Sequence, residues 1–212
     1  SARNKAPAFD VFMQYLPATL ELSLVALLVS AAIAIPAGVL SAVYKGSIFD
    51  TAAKGFALTG QSAPIFWIAL MLVLVFSVTL GWLPTSGRGG LSHLILPAVT
   101  LGWYSNAFLM RVTRSSMLDV LDADYIRLAR LEGLPERRIV WVHALKNAAT
   151  TIVTTLGLMT ISLVTGAVVT ETVFAWPGVG RLIVESIFHR DFPVVQAAVT
   201  VIAEALNGEI RD

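Results

Sequence analysis

RVTRSSMLDVLDADYIRLARLEGLPERRIVWVHALK, residues Arg111–Lys146, is the one long polar run in a chain otherwise built from apolar blocks. It holds seven of the fifteen Lys and Arg: Arg111, Arg114, Arg127, Arg130, Arg137, Arg138 and Lys146. Segments without Asp, Glu, Lys or Arg flank it on both sides. Within it, Asp122 and Asp124 are helix starters, because a carboxylate caps free N–H groups and opposes the positive end of the helix dipole. A short helix is expected over Tyr125–Glu132, with Tyr125, Leu128 and Ala129 on one face by their i, i+3, i+4 spacing. Arg127 and Arg130 fall on roughly the opposite face, beside Leu131. Gly133 is placed to end this helix. Pro135 is placed at the first position of the next, with Glu136 in its first turn.

The composition says where such a stretch has to sit. The chain has 212 residues, 56% apolar and only 14% charged, against about 25% charged in soluble domains. Its mean hydropathy is +0.76, which points to a membrane protein. A net charge of +1 gives no global field to recruit nucleic acid. The absence of cysteine removes disulfides, thiolate nucleophiles and Cys-based metal sites.

Working outward from the polar run, five apolar segments are legible. Ser1–Glu21 is mixed, and Phe9–Tyr15 is read as an amphipathic piece lying along a membrane surface. Leu22–Tyr44 is long enough for the roughly 20 residues that cross a bilayer, with a kink expected near Pro36. Gly55–Leu80, containing Pro64, is the second span. Leu91–Met110 is the third and is expected to continue as helix to about Val120. Asn147–Thr170 is the fourth. Val194–Ala203 opens a fifth that Glu204 interrupts. Lys45–Lys54 and Arg111–Lys146 fall on one side if the spans alternate, and by the positive-inside bias that side is cytoplasmic. Ser1–Pro17 is then external and the C-terminus cytoplasmic.

The spans carry no ionisable group at mid-depth, where ion-driven carriers keep their coupling sites. Thr150, Thr151, Thr154 and Thr155 either line a polar path or bond their own helix carbonyls, the commoner use of such hydroxyls. The polar run has two readings on its own residues. A solvated loop that only sets topology explains the arginines. It does not explain an apolar face on a short helix outside the membrane, which suits a protein partner or a lipid surface.

The stretch MRVTRSSMLDVLDADYIRLARLEGLPERRIVWVHALKNA resembles the cytoplasmic loop of ABC-importer permeases of the dipeptide/oligopeptide/nickel group. YKGSIFD (Tyr44–Asp50), LTGQSAPIFW (Leu58–Trp67), ETVFAWPGVGRL (Glu171–Leu182) and RDFPVVQ (Arg190–Gln196) resemble that group's first permease subunit. The likeness runs from about Leu16 to Gln196. It implies an all-α polytopic helical bundle of about five spans in the bacterial inner membrane: residues 1–212 as one translocation domain, and residues 111–146 as its cytoplasmic coupling loop. The family loop reads E-A-A-x-x-x-G followed ten residues later by I-x-L-P. Gly133 and Ala129 match it, and Arg127 and Leu128 stand where Glu and the first Ala would be. Of His143, Leu145 and Lys146, which stand where Ile, Leu and Pro would be, only Leu145 matches. The docking role of a coupling helix is accordingly carried over to Asp124, Tyr125, Arg127, Leu128, Ala129, Arg130, Gly133 and Leu134. Relatives carry an extra N-terminal span, an external segment after it and a longer last helix; a fragment, a chain given only in part or an unusually short form would each account for the difference.

The implied function is import of di- or oligopeptides by alternating access. Two cytoplasmic ATPase subunits would drive it, beside a second homologous permease and an external binding protein that carries most of the specificity. Nickel or glutathione import by the same architecture is the nearest alternative; a membrane scaffold or channel subunit is the alternative from another class. No phosphate-cradling Gly-Lys-Ser/Thr loop is present, so the chain is not read as an enzyme and no cofactor is expected, ATP being bound by the partners. His93, His143 and His189 are too scattered for a shared metal site. Glu171, Glu185 and Asp191 are read either as helix-end charges or as an external contact for a substrate amine or a binding protein.

Overall fold

The computed structural model describes residues 7–208, with side chains described except at 59, 61 and 202–208. Among the described residues all regular structure is helical. Helix α1 (Ala8–Val43) runs unbroken through Pro17 and Pro36, so Phe9–Tyr15 is the start of the first span's helix and no separate surface piece. Apolar residues occur all round it, which leaves no polar boundary at which to stop. Leu20, Leu24 and Leu28 remain about half exposed at four-residue spacing, as on a helix with lipid for solvent.

The second expected span is two elements. Helix α2 (Ile48–Ser62) begins seven residues before the expected start, and α3 (Ile65–Leu72) follows a break at Pro64, then widens into π-type turns over Val73–Thr79. Pro64 has ψ 136°, and the residue before a proline is pushed out of the helical region. The third span is one helix, α4 (Leu91–Leu121), with Pro97 inside it. Beyond α5 (Asp124–Leu131), the short α6 (Glu136–Arg138) passes through π-type turns at Ile139–Ala144 into α7 (Leu145–Val173). Together these make one 38-residue apolar helix over Glu136–Val173. Its first turn is therefore continuous with the helix of the fourth span, where a separate helix was expected. Helices α8 (Val179–Phe188) and α9 (Phe192–Gly208) are the last described elements. Glu204, expected to interrupt the last span, has its side chain outside the described set. By length and composition the helices Ala8–Val43 and Glu136–Val173 can each cross a membrane; Ile65–Thr79 and Phe192–Val201 are shorter apolar helices.

The helices sort into two compact units. One takes α1 up to Ala26, the chain from Pro64 to Leu101, and the described residues from Thr160 onward. Small apolar clusters hold it, such as Phe12 with Val179 and Ala198, and Ala69 with Leu96 and Phe174. The other takes Leu27–Ala63 and Gly102–Met159 and has one continuous core that includes Val39, Leu109, Met117, Ile126 and Ile139. Within it Phe56 packs edge-on to Trp103, with ring centroids 4.8 Å apart. The Thr154 and Thr155 hydroxyls donate to the Thr150 and Thr151 carbonyls at 2.9 and 2.7 Å, so these threonines satisfy their own helix.

Candidate functional site

Helix α4 ends at Leu121 and α5 starts three residues later, which leaves a short helix held mainly by what it buries. Its N-cap is Ala123, with extended backbone (ψ 148°) and no side-chain cap bond. The expected carboxylate cap is therefore not made. Asp124 is the first helical residue instead, 98% exposed and 3.4 Å from Arg127, so it acts through the helix dipole and a weak exposed ion pair. The other end follows expectation. Gly133 has φ +79°; its N–H donates to the Arg130 carbonyl at 3.0 Å, and the Leu134 N–H to that of Ala129 at 3.3 Å. This pair of bonds is the Schellman helix stop. Pro135 (ψ 136°) is the N-cap of the next helix, one place before its expected position. Gly133→Pro forces φ to about −65° and deletes the donor, at a cost of roughly 3 kcal/mol or more. Trypsin is expected to cut after Arg127 and Arg130 at least tenfold faster in that variant; an unchanged rate would show that the stop does not hold the segment.

The faces of α5 are rotated from the expected ones. Ile126 is fully buried in the same core as Met117, Ile139 and Val140, with Ala129 and Leu134 packed against it. Ala129 thus faces inward. Tyr125 and Leu128 remain outward, and Leu131, assigned from sequence to the arginine side, completes their stripe; the three are 46%, 56% and 85% exposed. Arg127 lies exposed beside it, and Arg130 pairs with Glu136 at 2.7 Å. Exposed pairs of this kind contribute about 0–1 kcal/mol, so the buried Ile126 carries the attachment. The result is an apolar stripe with cationic flanks on an anchored helix of eight residues.

A second feature of this unit leaves little trace in the sequence, where Lys45, Lys54 and Arg114 read only as loop charges. Asp50, at the start of α2, has a side chain with no solvent exposure. Its Oδ1 accepts from Arg114 Nε at 2.9 Å and Ser41 Oγ at 2.5 Å. Its Oδ2 accepts from Arg114 Nη2 at 3.1 Å, Lys54 Nζ at 2.7 Å and the Gly46 N–H at 3.0 Å. The Arg114 guanidinium, then Lys54, Ser41 and Gly46, hold this carboxyl well below the usual carboxylate range against the opposing effect of burial. A lowered pKa means stability that is present above the unfolded-state value and lost only as pH falls through the folded one, so the cluster stays ionised at neutral pH. The one local signal was the Asp50–Lys54 spacing of four; Arg114 is 64 residues away.

The three acidic residues expected at the external side all fall in the other unit. Glu171 is fully buried. Its Oε1 accepts from Thr19 Oγ1 at 2.6 Å, and its Oε2 from the Arg181 N–H at 3.0 Å in the first turn of α8. It offers no free surface to an external molecule in this conformation. Glu185 is partly exposed and pairs with Arg181 at 2.7 Å. The Asp191 carbonyl accepts the Val194 and Val195 N–H groups where α9 begins. Arg88 pairs with Glu21 and stands 5.6 Å from the ring centre of the buried Trp176. Among the described residues no group of three or more His, Asp or Glu is arranged to hold a metal.

The chain matches known proteins over nearly its full length. The family described as binding-protein-dependent transport system inner membrane component matches residues 34–206. The dipeptide transport system permease protein DppB of Escherichia coli K12 is 42% identical, over 96% of this chain and 69% of that protein. The oligopeptide transport system permease protein AppB of Bacillus subtilis is 44% identical, over 96% and 67%. The solved structure of the MetNI methionine ABC transporter in inward-facing conformations has a chain that superposes with a TM-score of 0.77 at 19% identity, covering 98% of this chain and 96% of that one; at that identity the likeness concerns fold. The all-α membrane bundle and the permease assignment follow, and the chain belongs to the family of binding-protein-dependent transport system inner membrane components.

Proposed function

We propose that this subunit moves di- or oligopeptides inward across the cytoplasmic membrane, with residues 111–146 on the cytoplasmic side and α5 as the helix that docks to a partner ATPase. The observation that carries the docking role is the Tyr125–Leu128–Leu131 stripe: apolar, exposed, and set on a helix whose opposite face is pinned by Ile126. A helix laying such a stripe into a groove is a common recognition mode. The flanking arginines suit an acidic rim on the partner. Family membership supports ATPase and binding-protein partners in general. The finer assembly, with two ATPase subunits that bind and hydrolyse ATP, a second homologous permease and one external binding protein, is part of the proposal. Peptide as the substrate rests on the named activities of the 42% and 44% identical relatives.

Co-expression of the intact protein with its partner subunits tests this. Wild type is expected to copurify with ATPase and, reconstituted in liposomes with the binding protein, to accumulate dipeptide only with ATP. Leu128→Glu is expected to lower ATPase copurification at least tenfold with unchanged membrane level. A wild-type protein that inserts in the membrane but never retains an ATPase would refute the reading.

A further inference from the structure

We propose that Asp50 and Arg114 are positioning residues for coupling: a fixed tie through which displacement of α5 is passed to α1 and α2. This rests on the docking role proposed for α5. The carboxylate joins three helices at one point: Ser41 belongs to α1, Asp50 and Lys54 to α2, Arg114 to α4, with Gly46 in the α1–α2 turn. The contact from α4 is two-pronged, and Arg114 Nε also lies 3.1 Å from Ser41 Oγ. Paired guanidinium–carboxylate bonds fix orientation as well as distance. Arg114 lies seven residues before the end of α4, about 10 Å along the axis at 1.5 Å per residue, and α5 follows directly.

What makes this a pivot rather than one contact among many is the packing beside it. The same three helices leave between them an apolar cleft of about 220 Å³, lined by residues that include Ala34, Ala37, Ala53, Phe56, Asn106 and Met110. The cleft opens to the surface, where Phe49 and Phe56 of its lining are 44% and 42% exposed. Here α1, α2 and α4 are bound tightly at a charged point and loosely alongside it. Asn106 is 5% exposed, and its Oδ1 accepts no hydrogen bond. Such an arrangement lets the helices change their spacing at the cleft while the tie keeps its geometry. Buried charges of this sort are also the costliest to leave unpaired, which keeps the tie closed as the helices move.

Two measurements decide it. In reconstituted transporter, Arg114→Gln is expected to leave ATP hydrolysis within about twofold of wild type while peptide moved per ATP hydrolysed falls at least tenfold, with Arg114→Lys recovering part of the ratio. The chain has no cysteine, so spin labels are placed on Cys at the exposed positions Ile48 and Glu132. Wild type is expected to give one narrow distance distribution, and Arg114→Gln one at least twice as wide. This second measurement needs neither transport nor ATPase. A protein that failed the copurification test would refute the function while the label distances still judged the tie. A distribution as narrow as wild type overturns the proposal; so does an unchanged ratio, or hydrolysis and transport falling by the same factor.

Discussion

Glu171→Ala is expected to lower the melting temperature of the purified protein by on the order of 10 °C. The side chain is fully buried, and its loss strands the Thr19 hydroxyl and the Arg181 and Gly180 N–H groups. Each stranded buried donor costs about 1–3 kcal/mol, and for a chain of this length 1 kcal/mol moves the midpoint by roughly 2–4 °C. The loss spreads, because Thr19 Oγ1 also accepts the Val179 N–H at 2.8 Å; one hydroxyl therefore links α1, α7 and α8. Glu171→Gln keeps an acceptor and is expected to cost less than Glu171→Ala. Gly178 supplies the sharper test. A Cβ there would collide with the Glu171 carboxylate, so Gly178→Ala alone is expected to be as damaging as Glu171→Ala. Combined with Glu171→Ala it should cost little more, since the clashing atoms are gone. Additive losses in the double variant would show that the carboxylate and the glycine do not act on each other.

The helices were legible wherever hydropathy or local chemistry carried the information. The span at Leu91–Leu121, its extension past the apolar part and the stop at Gly133 follow from composition and from a Gly two residues before a Pro. Proline was an unreliable guide. Pro17, Pro36 and Pro97 lie inside helices while Pro64 separates two, because neighbouring helices that satisfy freed carbonyls decide whether a break is tolerated. The turn after α7 carries the turn-forming Trp176-Pro177-Gly178 in its sequence. Its helix stop was not legible there, since Ala175 takes the left-handed conformation (φ 49°) that sequence reasoning gives to glycine.

The site was half legible, for a related reason. A face assigned from i, i+3, i+4 spacing over eight residues is uncertain by one position. That error turned Ala129 inward and brought Leu131 out. Contacts made across long sequence separations left no trace at all. Asp50 reads as a loop charge until Arg114 reaches it, and Glu171 as an external carboxylate until Gly178 is seen to leave it room. In a chain this apolar, a buried charge announces itself only through its partners.

Ile126→Ala is expected to free α5 from the bundle and to abolish transport without lowering the amount of protein in the membrane. Among the side chains of α5, Ile126 alone is fully buried. Truncating such a residue costs about 2–5 kcal/mol. The exposed pairs Arg127–Asp124 and Arg130–Glu136 offer only about 0–1 kcal/mol each in return. Opening of α5 is local, so hydrogen exchange reads it directly. Amides of residues 126–134 are expected to exchange at least about 30-fold faster, the factor that 2 kcal/mol implies, while those of α7 stay unchanged. The comparison with Leu128→Glu separates anchor from docking surface. Leu128 is exposed, so that change should leave the exchange of α5 as in wild type and remove the ATPase instead. If Ile126→Ala left α5 protected, something other than this residue would hold the helix, and the assignment of its inner and outer faces would fail with it.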